Sequence, residues 1–208
     1  MIKAVIFDID GVLINSFEAN FKFYQDLMAF AGYKRPTRDL IASMFHMTME
    51  DVIRKLIGNK DDDEVHRVWL LGKKRAVRYP YELVSSPENC KDVLIELSKK
   101  YVLAIVTSRI KGGVFSLRQL SELESLFKVS VYFEDTVKHK PEPDPLIYAC
   151  HRLDIEPDEA VYIGDTDTDV KAAKSAGMKV IIFSNTDITG ADARTNLFTR
   201  IPVLVDRI

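Results

Sequence analysis

Carboxylates crowd the two places where apolar runs stop short. Ile2, Ala4, Val5, Ile6 and Phe7 end in Asp8-Ile9-Asp10-Gly11, and Ala160 to Ile163 end in Gly164-Asp165-Thr166-Asp167-Thr168-Asp169. A third run, Tyr101 to Val106, ends in Thr107-Ser108-Arg109, and Lys140 follows a fourth, Val129 to Phe133. Two carboxylates two residues apart at the end of a buried strand are costly unless a cation or a proton offsets their charge. With no histidine or cysteine cluster beside them, they suit a hard divalent cation, Mg²⁺ before Zn²⁺. One lysine and a hydroxyl suit the oxygens of a phosphoryl group, whose charge must be held through transfer. A carboxylate beside the metal can attack phosphorus, and a second can protonate the leaving oxygen and then deprotonate water. On its own, Asp-x-Asp-Gly is equally an ordinary turn, so the weight falls on the four run ends together.

These groups meet only if the runs are parallel strands with their C-terminal ends on one side. β-branched content and length favour strands at 2–7, 101–106, 129–133, 160–163 and 179–183, with Pro202 to Val205 as a very short sixth. Helical patterns alternate with them: Pro87 through Leu97, roughly Gly113 to Phe127, Pro145 through His151, and Val170 to Ala176 closed by Gly177. Such alternation predicts an α/β fold, a Rossmann-like parallel sheet with helices on both faces. Between Asn15 and about Ser85 the pattern is helical throughout. Phe17, Phe21, Tyr24, Met28 and Ala31 make one stripe, Thr48 to Ile57 a second helix, and Asp61 to Val77 a third. The lone first strand has no partner in that segment. The expected division is therefore a core of residues 1–14 and 86–208 with an inserted all-helical cap of residues 15–85, placed over the C-terminal edge of the sheet.

The 208 residues suit one sizeable domain or a core with an insertion, and 47% hydrophobic with 29% charged content describes a globular chain. A formal net charge of −2 and no long basic run give no basis for a nucleic-acid partner. Cys90 and Cys150 are isolated, which favours a reduced, cytoplasmic setting. The N-terminus enters a strand at once and carries an acidic pair, unlike a signal peptide or a membrane span. A monomer or homodimer without membrane association is expected.

The run ends, read as motifs, resemble the haloacid dehalogenase-like phosphohydrolases. The matching stretches are FDIDGVLINS at 7–16, VTSR at 106–109, KHKPEPDP at 138–145 and GDTDTDVKAAKSAG at 164–177, in the family's order and over essentially the whole chain. The resemblance also implies the subclass with a helical cap between the first two motifs. It implies that Asp8 is the nucleophile and a metal ligand, and that Asp10 is the general acid/base with its backbone carbonyl on the metal. Thr107 would hold a phosphoryl oxygen, helped by the amide of Ser108, and Lys140 would neutralise nucleophile and phosphate. Asp165 would be the second direct Mg²⁺ ligand, with Asp169 holding a metal-bound water or Lys140. The implied activity is hydrolysis of a small-molecule phosphate monoester, possible substrates including phosphoglycolate, pyrophosphate, a nucleoside monophosphate or a sugar phosphate. A sugar phosphomutase would use the same Asp8 and Asp10. A ligand-binding or regulatory module without catalysis is disfavoured, because no matched position is substituted. Dehalogenation and phosphonate cleavage are disfavoured by the retained Asp10.

Outside the motifs the readings stay open. Arg109 can reach a substrate carboxylate or phosphate, or form a surface salt bridge. Asp167 reads as a solvated or capping carboxylate. His139, beside Lys140, reads as a loop residue, with a substrate contact as the alternative. Asn15 and Phe17 are the better candidates for substrate contacts from the cap side, whereas His46, among Met44, Phe45, Met47 and Met49, reads equally as lining the cap side of a pocket or as packing within the cap. Phe21, Tyr24 and Trp69 read as packing residues.

Overall fold

The first strand ends up in the middle of the sheet. In a computed structural model, which describes residues 1–45, 47–58 and 61–208, all six strands are parallel and run in the order β3-β2-β1-β4-β5-β6. They are β1 (Ala4–Phe7), β2 (Val102–Val106), β3 (Phe127–Val131), β4 (Ala160–Gly164), β5 (Lys179–Phe183) and β6 (Ala193–Thr195). The chain builds outward from β1 through β2 to β3, then crosses back to place β4 on the other side of β1. Ligands in open sheets of this kind bind outside the strand ends where the order reverses. Here that is the crevice at the ends of β1 and β4.

β1 and β4 are buried from end to end, as a strand covered on both faces must be. Successive side chains of β1 alternate between faces. Ala4 and Ile6 join Ala104, Val106, Val129, Leu146, Tyr162, Ala173 and Val180 in one core. On the other face Phe7 meets Phe127 edge-on and lies against Phe198.

The chain forms two compact units, Met1–Asn15 with Ser86–Ile208, and Ser16–Ser85. Among its described residues the regular elements of the second unit are all helices, with a 3₁₀ turn at Tyr81–Leu83. Its helices are α1 (Phe17–Phe30), α2 (Arg38–Ala42), α3 (Met49–Ile57) and α4 (Asp62–Lys73). Thr37, Thr48 and Asp61 cap α2, α3 and α4 by accepting backbone N–H groups, and Gly58 ends α3 in the left-handed conformation. Phe23, Leu27 and Met28 of α1 pack with Ile53, Val65 and Val68, with Trp69 half-buried at the margin. Ile41, Met44 and Val52 form a second cluster with Phe17 and Phe21 half-buried against it. His46 lies outside the described residues.

The first unit carries α5 (Cys90–Ser98), α6 (Arg118–Ser121), α7 (Asp144–Leu153), α8 (Asp167–Ser175) and α9 (Ile201–Val205). Three expectations need correction. The long helix expected over 113–127 is reduced to α6 between single turns. Val114, Leu117, Leu120 and Leu123 are buried at a spacing of three, and each next amide bonds back three residues, from Leu117 to Val114 through Leu126 to Leu123. That is the period of 3₁₀ turns rather than of an α-helix. β3 starts two residues earlier than expected, because Phe127, Val129 and Val131 are its buried alternate positions. The segment Pro202 to Val205 is helix α9, with Pro202 in its first turn, where a missing N–H costs nothing. The sixth strand is instead the three-residue β6.

Candidate active site

Register brings the run ends level. Phe7 pairs with Ile105 of β2 and Ile163 of β4, so Asp8, Thr107 and Asp165 all emerge at one edge. Asp8 extends the ladder by donating its N–H to the Ile163 carbonyl at 2.9 Å. Gly11 then passes close over Asp165 with φ at +81°. A Cβ there would lie 1.9 Å from Asp165 Oδ2, so both the turn and the approach require glycine.

Asp169 is the most firmly held carboxylate. It stands in the first turn of α8, and Gly164 leaves it room, since a Cβ at 164 would come within 2.4 Å of its own Cβ. Oδ2 accepts the Thr166 hydroxyl at 2.7 Å and the Asp165 and Thr166 amides at 3.1 Å each, closing a capping box with Thr166 as N-cap. Oδ1 accepts Lys140 Nζ at 2.7 Å. Lys140 Nζ also meets Asp8 Oδ1 at 3.2 Å and donates to the Tyr162 hydroxyl at 2.9 Å. Three ammonium N–H groups thus face three oxygens in a place where the lysine side chain is 7% exposed. Asp8, Asp165 and Asp169 each present a carboxylate oxygen, all within 4.8 Å of one another.

Crowding sets the electrostatics. Burial pushes the Asp8 carboxyl up to about 7, with Asp169 and Asp10 adding repulsion and Lys140 opposing. Burial likewise pushes Asp165 up to about 9, with Asp169 and Asp8 adding to it. Burial works against the Lys140 charge too, but Asp169 and Asp8 outweigh it and hold the ammonium well above its ordinary range. For Asp169, Lys140 and the hydrogen bonds from Thr166 and Asp165 overcome burial and pull the carboxyl down. Four carboxylates (Asp8, Asp10, Asp165, Asp169) face two cations, Lys140 and Arg109. Ionising all four leaves an excess of two negative charges, and that excess with the all-oxygen donor set fits a divalent cation.

The other anticipated residues are placed less uniformly. Thr107 is buried, and its Oγ1 accepts the Arg109 N–H at 3.2 Å. Ser108 is exposed beyond the strand end. Arg109 closes on Asp10, with Nε to Oδ2 at 2.6 Å and Nη2 to Oδ1 at 2.7 Å. Asn15 is exposed at the far end of the loop that follows Asp10. Asp167 is exposed in the first turn of α8 and pairs with Lys171. His139 stacks on Phe133 at 4.0 Å between ring centroids.

Tyr162 is the participant that sequence reasoning missed. It is fully buried, receives the Lys140 bond, and its hydroxyl lies 3.3 Å from both the Val106 carbonyl and Asp169 Oδ1. The signal for it is a single tyrosine in an otherwise aliphatic strand, since a buried hydroxyl needs a partner. Tyr162→Phe leaves one ammonium N–H unpaired, at about 1–3 kcal/mol. The expected outcome is a lower Tm together with a fall in kcat of about tenfold at nearly constant KM, read by thermal unfolding and steady-state kinetics. An unchanged kcat removes Tyr162 from the site.

Residues 5–183 match the family described as haloacid dehalogenase-like hydrolase. The chain is 29% identical over 184 residues to pyrophosphatase PpaX of Bacillus cereus (strain B4264), covering 88% of this chain and 83% of the relative. Among solved structures it is similar to a putative β-phosphoglucomutase from Thermotoga maritima, with TM-score 0.73, 26% identity and full coverage of both chains (100% and 100%). A putative phosphoglycolate phosphatase from Lactobacillus plantarum shares the fold, with TM-score 0.84 and 23% identity over 98% of this chain and 99% of that one. The chain therefore belongs to the haloacid dehalogenase-like hydrolases, with an all-helical cap region inserted after the first strand of its parallel sheet.

Proposed function

We propose that this protein is a Mg²⁺-dependent phosphatase that hydrolyses a small phosphate through a phosphorylated Asp8. The observation that carries the reading is the buried Asp8 carboxylate, 3.2 Å from Lys140 and in reach of Asp165 and Asp169. Asp8 and Asp165 would hold the cation directly, with the Asp10 backbone carbonyl, and Asp169 would support the set while fixing Lys140. The cation supplies charge neutralisation at the phosphoryl oxygens, letting one anion approach another.

An Asp8 carboxylate oxygen attacks phosphorus, and the bond from phosphorus to the leaving oxygen breaks. The Asp10 carboxyl passes its proton to that oxygen. Water then attacks the phosphorus of the aspartyl phosphate, Asp10 takes the water's proton, and the Asp8–phosphate bond breaks to release inorganic phosphate. Lys140 stabilises the nucleophile and the transferring group. The Thr107 hydroxyl and the Ser108 amide hold phosphoryl oxygens.

For the leaving group we favour a compact anion, as in phosphoglycolate or pyrophosphate. The PpaX relative supports pyrophosphate, and Arg109 supplies a cation at the same edge of the sheet. The test is a panel of phosphoglycolate, pyrophosphate, glucose 6-phosphate and a nucleoside monophosphate, assayed for phosphate release with Mg²⁺ and with EDTA. Release that EDTA abolishes, with phosphoglycolate or pyrophosphate leading in kcat/KM, is the expected result. A sugar phosphate leading the panel contradicts the substrate choice. The β-phosphoglucomutase likeness supports a second reading, in which the phosphoryl group returns to a sugar. Conversion of β-glucose 1-phosphate to glucose 6-phosphate, primed with a trace of the bisphosphate and without phosphate release, would establish that reading instead.

A further inference from the structure

Arg109 stands where the proposed acid/base must work. Its fork takes both oxygens of Asp10, at 2.6 and 2.7 Å, and the two side chains are 17% and 23% exposed. A two-pronged, largely covered pair differs in kind from a loose surface contact. The Arg109 backbone is pinned at both ends. Its N–H goes to Thr107 Oγ1, and its carbonyl accepts the Phe133 N–H at 3.0 Å. Phe133 in turn stacks on His139, the neighbour of Lys140. With the backbone held, any change of partner falls to rotation about the side-chain bonds. The guanidinium can therefore change partners without moving the loop.

While the fork is closed, both Asp10 oxygens are engaged, and one must come free to meet a leaving oxygen. We propose that Arg109 is the specificity-determining residue, holding Asp10 until an anionic group on the leaving side draws the guanidinium away. The inference rests on the phosphatase reading above and names its substrate class. That class is phosphates whose leaving group carries a carboxylate or phosphate next to the scissile bond. An anion replaces Asp10 on the fork like for like, so the exchange is nearly balanced. A neutral leaving group offers no replacement and finds the pair closed.

Phosphoglycolate and 2-hydroxyethyl phosphate, alike except for the leaving-side charge, give the test with the Mg²⁺-loaded enzyme. The wild type is expected to prefer phosphoglycolate by about 100-fold in kcat/KM, the scale on which one hydrogen-bonded contact to a charged group discriminates. In Arg109→Ala the preference collapses from both sides. Turnover of phosphoglycolate falls by about 30-fold or more, and kcat for 2-hydroxyethyl phosphate rises several-fold because Asp10 is no longer held. Arg109→Lys, which keeps the charge without the fork, gives an intermediate preference. If both substrates slow in parallel in Arg109→Ala and Arg109→Lys, Arg109 merely orders Asp10 and the proposal is wrong.

A binding arm separates this proposal from the reading beneath it. Calorimetry compares 3-phosphonopropionate, which cannot be hydrolysed, with 3-hydroxypropylphosphonate, which ends in an uncharged hydroxyl instead of the carboxylate. The wild type should favour the carboxylate about tenfold or more, and Arg109→Ala should lose that preference. Equal binding of the two by the wild type overturns the Arg109 assignment. A retained binding preference without turnover of any phosphate upholds that assignment and overturns the phosphatase reading alone.

Discussion

Asp8→Asn is expected to lower turnover by at least about 10³–10⁴-fold, a change of roughly 4–5.5 kcal/mol in the barrier. The amide is nearly isosteric but has no anionic oxygen to attack phosphorus. Lys140 keeps its 2.7 Å bond to Asp169 and its 2.9 Å bond to Tyr162, so the surrounding side chains stay fixed. One negative charge also leaves a buried group that Asp169 and Asp10 repel. In EDTA the variant's Tm should therefore equal or exceed that of the wild type. Thermal unfolding and initial rates on one preparation check both parts, after mass spectrometry has excluded deamidation. Wild-type turnover in the intact variant removes Asp8 as nucleophile.

Lys140→Met should be as inactive and yet move stability the opposite way. Methionine fills most of the lysine's volume but leaves Asp169 and Asp8 buried without their cation. Breaking a buried ion pair by removing one partner costs about 3–5 kcal/mol. Asp8, already raised to about 7, can take up a proton and relieve part of that cost, so the lower end applies. At roughly 2–4 °C per kcal/mol for a chain of this size, Tm should fall by about 10 °C. Equal Tm values for Asp8→Asn and Lys140→Met would mean that Lys140 does not balance the cluster.

These contrasts rest on a site that is largely legible in the amino-acid sequence. Asp8, Asp10, Asp165 and Asp169 announce themselves because carboxylates gathered just beyond two buried apolar runs are costly without a cation to offset them. Parallel pairing then gathers them, and the strands that do so, β1, β2, β4 and β5, are continuous apolar runs. Tertiary partnership is what a linear reading lacks. Arg109 lies far along the chain from Asp10, and nothing near it specifies that its fork closes there. Tyr162 reads as one more apolar strand residue, and only the folded chain brings its hydroxyl to Lys140. Elements with weak local signals are misread for the same reason. β6 is three residues, Ala193–Thr195, with no apolar run of its own, and exists because β5 offers an edge. Ile201–Val205 has strand-like composition, yet Pro202 opens a helix there.

The most direct test of the central claim is chemical trapping of the phosphorylated aspartate. The enzyme is mixed with substrate and Mg²⁺, quenched in acid during steady-state turnover, and reduced with borohydride. Borohydride converts an acyl phosphate, but not a free carboxylate, to the alcohol. The expected result is homoserine at position 8, found by peptide mass spectrometry, dependent on substrate and absent from Asp8→Asn. Reduction at Asp165 or Asp10, or none at any residue under conditions where the intermediate should accumulate, would contradict the covalent role of Asp8.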